Sequence, residues 1–403
     1  MTNAANIVEI GGIFYDLKPV KVGTATVTSD PAVVGYRLYT GDVVIPSTVE
    51  HDGNTYQVTE IDRYAFMGCR ELTSVELPDG ITTIGFGAFE NCTSLTAINI
   101  PSTVTTVSQW GFRGCTGLTK VSITDIGAWC GIAFEDYGNP LYYAHHLYIG
   151  NEETTELVIP DDVTTINDRA FNGYSSLKSV KLGSGLVSIG SYAFAWCTSL
   201  ASVVIPDNVK ELGSNAFYEC EALADITISA NIEKIATSSF EKCNSLKTIW
   251  IPDGVKEIDS NAFHKCQKLE KVYIAGSVEK IGASAFGNCE NISDVYCFAT
   301  TPPTPNTMWY NTLSNYFWQS YTEYSTLHVP ENSADSYKSA FAWADFGKIV
   351  ALTNEDTGIG GTQAGECLVK QRYTIEGYSL DAPRRGINIV KMSNGQTRKV
   401  FVK

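Results

Sequence analysis

Apolar residues recur along this chain at a long fixed stride. Phe171, Phe194, Phe217, Phe240, Phe263 and Phe286 follow one another every 23 residues, and Phe66, Phe89 and Phe112 keep the same step upstream. One unit, from Ala193 to Gly213, reads AFAWCTSLASVVIPDNVKELG. Val203 and Ile205 are two apart, as inward residues of a strand must be, and Pro206 ends that strand. Val209 and Leu212 supply a second inward pair before Gly213 turns the chain. The Ala-Phe-x-x-Cys segment is too short to stand as a helix and predicts one tight 3-10-type turn. Strands of this kind begin at Val43, Val75, Ile98, Val121, Leu157, Val180, Val203, Ile226, Ile249, Val272 and Val295. A strict period of this length predicts a mainly β repeat solenoid. One coil buries too little apolar surface to offset the entropy of ordering it, so the coils must stack.

The departures from the period divide the chain. Residues 1–42 alternate in short runs, Ile13–Leu17 and Thr24–Thr28 among them, and are expected to form an N-terminal β cap. The repeat array is expected over 43–298, with a hairpin turn at Asp52–Gly53. The array is interrupted once: Phe112 and Phe171 are 59 residues apart, leaving an insert whose core is 124–156. That insert is expected to be an outlying loop and hairpin (His146–Ile149, turn at Asn151–Thr154) packed on the solenoid by its aromatics. A C-terminal cap is expected over 299–352, including an amphipathic helix within Ser333–Phe346 that carries Tyr337, Phe341 and Trp343. Residues 353–365 read as a Gly-rich flexible linker. The tail, 366–403, reverses the charge balance with eight Lys/Arg against three Asp/Glu and reads as a separate small β module.

Composition narrows the function classes. The net charge of −15 argues against nucleic-acid or anionic-membrane binding, which needs a basic face. No apolar run is long enough to span a bilayer. Met1–Ile10 has neither a basic n-region nor an apolar h-region, as in a cytoplasmic protein or in a mature chain whose export signal has been replaced. Eight of the eleven cysteines sit three residues after the repeat phenylalanine. One per coil suits a column of small buried hydrophobes, and it does not supply the paired spacing of a zinc site. His145 and His146, near Glu135, Asp136, Trp129 and Cys130, invite a metal reading, but adjacent histidines lack a ligand spacing and no metal is expected. Neither a nucleophile motif nor a phosphate-binding loop is present. The expectation is therefore no catalysis and no cofactor.

The signature I-x-x-x-A-F followed by C-x-x-L-x-x-V-x-I-P-x-x-V-x-x-I, recurring over residues 43–300, resembles the BspA-like (treponemal-type) leucine-rich repeat proteins of anaerobic bacteria. The insert, from Trp129 through Asn139-Pro140-Leu141 to Pro160, looks like a long variant unit of the same family, as does Leu327–Pro330 with Tyr337 and Phe346. The tail is similar to short C-terminal modules of surface and secreted proteins, although Gly377-Tyr378-Ser379 departs from their usual Gly-Arg-Arg or Gly-Gln-Arg turn. The resemblance implies a right-handed leucine-rich repeat coil on a cell-surface or secreted protein. Some such proteins bind host or matrix proteins, and no enzymatic activity is implied.

Function is then expected where the repeat varies. The residue between the two inward strand positions points outward, giving a column that ends in Trp250, Tyr273, Tyr296 and, if the next strand stacks in register, His328. Aromatics of this kind are enriched at binding hot spots, and the four are the candidate ligand-binding residues. Otherwise the segment 301–326 folds back over them as an aromatic cap. The expected function is a protein-interaction or adhesion scaffold for an extracellular, host or matrix protein. The alternative is a carbohydrate-binding surface built from Trp309, Trp318 and neighbouring tyrosines.

Overall fold

The computed structural model describes residues 6–31, 39–306, 315–353, 356, 369–373, 379–380, 386–392 and 397–402, the tail strands by their backbone only. Two compact units are present, Met1–Ile226 with Ala236–Ser245, and Thr227–Ile235 with Leu246–Lys403. Each is built from 23-residue coils of a β-solenoid.

In the first unit the period-two residues form a parallel sheet of strands Gly41–Val44, Leu72–Glu76, Ala97–Asn99, Lys120–Ile123 and Leu147–Ile149. A second set, Thr83–Ile84, Thr106–Val107 and Ala133–Phe134, stacks two-residue strands in parallel on the long strand Asn54–Ile61. At the N-terminal end, Ile7–Ile10, Ile13–Leu17 and Thr24–Thr28 form an antiparallel meander, and its last strand pairs in parallel with Asn54–Ile61. The hairpin predicted at Asp52–Gly53 joins Thr48–His51 to Asn54–Ile61, with φ of 48° and 74° at the two turn residues. Both left-handed values match the turn that follows a twisted hairpin.

The insert is not an outlying loop. Leu147–Ile149 pairs in parallel register with Lys120–Ile123, and Ala133–Phe134 pairs with Thr106–Val107. It thus adds a coil of its own. A hairpin does follow Leu147–Ile149, but it turns at Gly150 and Asn151, so Glu152–Glu153, inside the turn expected at Asn151–Thr154, is its second strand and ends that sheet with an antiparallel edge. The next sheet begins with Glu156–Val158, Ser179–Lys181 and Ser202–Val204. Trp129 is buried, its indole N–H donating to the Ala170 carbonyl at 2.8 Å, which ties the insert to the following coil.

The Phe turn shows how the coils join. Within one coil the amides of Ala193, Ala195 and Cys197 donate to the carbonyls of Gly190, Tyr192 and Phe194 at 3.2–3.3 Å, as overlapping i→i+3 turns. The alternate amides leave the coil: Tyr192, Phe194 and Trp196 donate to Ser214, Ala216 and Tyr218 at 2.8–3.0 Å. This alternation requires left-handed backbone two residues either side of the phenylalanine, at Tyr192 (φ 57°) and Trp196 (φ 59°). Gly213 closes the same unit because a Cβ there would lie 2.3 Å from the Ser191 nitrogen.

Inside, the phenylalanine rings stack coil on coil. Centroids are 5.2 Å apart for Phe171–Phe194 and for Phe194–Phe217, and 5.4 Å for Phe217–Phe240, with planes within 15°. The cysteines do more than fill space. Cys92 and Cys115 each donate a thiol hydrogen to the phenylalanine carbonyl of the preceding coil at 3.0 Å, and Cys220 does so at 3.2 Å. All ten described cysteines are free and buried.

The second unit carries the sheet Thr248–Ile251, Lys271–Ile274, Asp294–Cys297, Thr326–Val329 and Lys348–Ala351, all parallel. Phe263, Phe286 and Phe317 continue as a ring stack at 5.3 and 5.5 Å, and Trp343 and Phe346 meet Phe317 edge-on. The C-terminal helix is shorter than its pattern suggested, only Ala334–Lys338. The Ser339 hydroxyl turns back onto the Asp335 and Ser336 carbonyls, and Ala342 is left-handed (φ 62°), which sends Trp343 into the core. In the tail, Ser379–Leu380, Val369–Tyr373, Gly386–Met392 and Thr397–Val402 form a four-stranded antiparallel sheet in that order. The turns expected at Glu376–Gly377 and Asn394–Gly395 lie outside the described residues.

Replacing Phe217 by Ala removes one ring from the stack and is expected to cost about 3–5 kcal/mol. Cys220→Ala removes a small side chain and one weak hydrogen bond and should cost about 1–2 kcal/mol. Equilibrium denaturation of the two variants measures both; equal small losses would contradict a ring-stacked core.

Candidate functional site

The outward column of the second unit forms in register. Trp250 pairs with Tyr273, Tyr273 with Tyr296 and Tyr296 with His328. Parallel strands place equivalent side chains one above another, and the rings stack face to face. Centroids are 3.6 Å apart at 4° for Trp250–Tyr273, 4.4 Å at 5° for Tyr273–Tyr296, and 4.2 Å at 17° for Tyr296–His328. Stacking hides the faces and presents edges: Tyr296 is buried, and Trp250, Tyr273 and His328 are half-buried.

The polar ends of the column are organised too. Burial, then the negative charges of Asp294 and Asp356, push both phenols above the usual tyrosine range and, for Tyr296, far above it. His328 Nε2 lies 3.0 Å from Asp294 Oδ1, and Nδ1 lies 3.7 Å from Asp356 Oδ2. Thr353 holds Asp356 there, its amide and hydroxyl each donating to Oδ2 at 2.7 Å. Burial opposes ionisation of Asp294, but hydrogen bonds from His328 and Ser293 outweigh it, and its carboxyl sits below the usual range.

The described part of 301–326 does not cover this column. Phe317 extends the core ring stack, and Tyr316 is buried with its hydroxyl donating to the Pro303 carbonyl at 3.2 Å. Among the described residues after the last strand of the sheet, Asp356 reaches the column at His328. Trp309 lies outside the described residues, and Trp318 is half exposed.

Elsewhere the histidine pair diverges. His145 Nδ1 is 2.9 Å from the Gly173 carbonyl, whereas His146 Nδ1 is 2.7 Å from Glu153. Glu135 accepts from the Gln109 amide at 2.8 Å, and Asp136 pairs with Arg169 at 2.5 Å. Among the described residues no cluster of three or more His, Cys, Asp or Glu side chains is placed to hold a metal. No helix among them is long and apolar enough to cross a membrane.

Two sets of outward residues escape a reading by strand parity. Tyr148, in the insert's own strand, stands beside Ser122 in the outward column of the first unit, with Lys120 4.7 Å above its ring. On the Phe turns, Tyr192, Trp196 and Tyr218 form a row in which Trp196 meets Tyr218 edge-on at 5.3 Å. For Trp196 the available signal was a large side chain two residues after the repeat phenylalanine, where other coils place Gly68, Asn91, Gly114 or Gly173; Tyr192 lies two before Phe194 and Tyr218 directly follows Phe217.

Stacked coils, parallel short strands and a cysteine-and-phenylalanine core define a leucine-rich repeat protein. The chain belongs to the BspA type leucine rich repeat region family, whose pattern (6 copies) matches residues 54–135, 145–270 and 249–360. Among solved structures, the chain is similar to a leucine rich cell surface protein from Faecalibacterium prausnitzii, at 25% identity over 76% of this chain and 97% of that one, with a TM-score of 0.35. A leucine-rich repeat protein from Bacteroides ovatus is 22% identical over 86% and 100%, TM-score 0.47. One from Eubacterium ventriosum is 19% identical over 76% and 96%, TM-score 0.44. No curated protein matches the chain.

A carboxyl with a depressed pKa in the folded state contributes stability above its unfolded pKa and loses it as pH falls through the folded value. Asp294 is such a group, its reference pKa being 3.8. Between about pH 5 and about pH 2.5 the native chain should therefore lose more stability than Asp294→Asn does. Urea midpoints of both at the two pH values provide the measurement, and identical pH dependence would remove Asp294 from the acid response.

Proposed function

We propose that this protein is an exported or cell-surface scaffold that binds another extracellular protein through the outward face of the sheet Thr248–Ala351. The observation that carries the reading is the in-register stack of Trp250, Tyr273, Tyr296 and His328. Three inter-strand steps of about 4.8 Å give a strip on the order of 14 Å long, the scale of a protein hot spot. A sugar ring needs an open aromatic face, but here the faces are spent on one another. The strip offers edges and polar tips, suited to side chains of a partner surface. Asp294 and Asp356 at its His328 end favour a basic residue there. The reading involves no catalysis, as is typical of repeat scaffolds, and the family's surface-protein character supports the location.

The test is a surface-binding screen of the whole chain against a panel of purified extracellular-matrix proteins. For any protein bound, the double variant Trp250→Ala with Tyr273→Ala should lose about 2 kcal/mol or more, roughly thirtyfold in Kd. Unchanged affinity in the double variant would sink the proposal.

A further inference from the structure

A pocket of about 260 Å³ opens in the first unit where the insert meets the Phe turns, lined by Asp136, Tyr142, Arg169, Asn172, Tyr192 and Trp196 among others. Tyr192 and Trp196 lie nearly parallel, 12° between planes with centroids 6.3 Å apart, and Tyr142 stands across Trp196 at 88° and 5.9 Å. The Trp196 amide donates to the Tyr218 carbonyl at 2.8 Å, which fixes the backbone that carries its ring. Tyr142 reaches this position because Gly173 is bare: a Cβ there would lie 2.7 Å from the Tyr142 Cα. Asn139 fixes the insert behind it, donating to the Arg169 and Ala170 carbonyls at 2.7 and 3.0 Å and accepting from the Leu141 amide at 2.8 Å.

One polar atom in this wall is unsatisfied. Asn172 is only 7% exposed, and its Oδ1 has neither accessible surface nor a hydrogen-bond partner. Burying an unpaired acceptor costs on the order of 1–3 kcal/mol, a deficit that a ligand donor would cancel on rotation of the Asn172 amide toward the pocket. Four of the lining residues, Tyr137, Arg169, Tyr192 and Trp196, also sit in left-handed backbone (φ 57–62°), where glycine or asparagine would be easier.

We infer that this pocket is a binding site for a neutral saccharide, taking one sugar ring against the Tyr192–Trp196 side with a hydroxyl donated to Asn172 Oδ1. Charge decides the class. The Arg169 guanidinium stands 5.5 Å over the Tyr192 ring and pairs with Asp136 at 2.5 Å, so the cation position over that ring is already filled and an ammonium ligand is repelled. Glu135 and Asp136 at the rim repel an acidic sugar. A neutral ring, apolar on its C–H face and rich in hydroxyls at its edge, matches aromatic walls beside a carboxylate, a guanidinium and an amide. The volume suits a terminal residue rather than an extended chain. This site is separate from the aromatic column of the proposed protein-binding face.

The experiment is saturation-transfer NMR on the full chain with methyl galactoside, methyl mannoside and methyl N-acetylglucosaminide at about 20 mM, with N-acetylneuraminic acid and tetramethylammonium as charged probes. At least one neutral glycoside should receive saturation, and neither charged probe should. Trp196→Asn keeps a residue tolerant of left-handed backbone, and Asn172→Leu removes the acceptor at similar size. Each should weaken the bound glycoside at least about tenfold, with circular dichroism and the melting midpoint of the variants reporting the fold. No transfer to any neutral glycoside, stronger transfer to either charged probe, or retention of the signal in both folded variants would overturn the inference. So would loss of the signal in Trp318→Ala with both pocket variants unaffected.

Discussion

Everything in this molecule depends on a division of labour among backbone amides at the Phe turn. One amide closes the turn on its own coil, the next leaves for the following coil, and the alternation repeats through Tyr192, Ala193, Phe194, Ala195, Trp196 and Cys197. A coil cut from its neighbour keeps half of these bonds and loses the rest to water. The ring stack and the short strands obey the same rule, since Phe194 is covered by Phe171 on one side and by Phe217 on the other. Structure here is a property of neighbours, and left-handed residues such as Trp196 are tolerated because the coils over-determine them.

The insert shows how strongly that rule acts. Thirty-six extra residues between Phe112 and Phe171 (59 less one 23-residue period) were free to loop away. Instead they deliver Leu147–Ile149 and Ala133–Phe134 into the two ladders, because an unpaired parallel edge would be costly to leave open. One of its strands departs from the parallel ladders, the antiparallel Glu152–Glu153, which ends the sheet with two exposed acidic side chains. Charged residues at that edge discourage further pairing.

The repeat was readable because its signals are local and periodic: Val203 and Ile205 set the strand, Pro206 ends it, and Phe194 recurs at a constant step. Parity alone placed Trp250, Tyr273 and Tyr296 on one face, and a single further strand signature added His328. What stayed hidden were features that depend on neighbouring coils. The role of the thiols as donors needs the carbonyl of the coil beneath. Tyr148 needed the insert to be threaded in register, and Trp196 needed a left-handed turn to bring it beside Tyr192. The end of the helix at Lys338 needed Ser339 to turn inward on its own backbone. Asp356 reaches the column across a segment whose composition suggested only a linker.

The thiol column has a consequence for how such a chain matures. In the folded coils burial pushes the thiols of Cys197, Cys220 and Cys243 far above the ordinary range, so almost no thiolate exists to attack or be oxidised. A finished molecule can therefore sit in oxidising surroundings with these three cysteines unlinked. Before the coils stack, the same side chains are ordinary solvent-facing thiols, spaced 23 residues apart and free to join in wrong pairs. For an exported chain, assembly becomes a race in which each new coil must close over its cysteine before an oxidant reaches it.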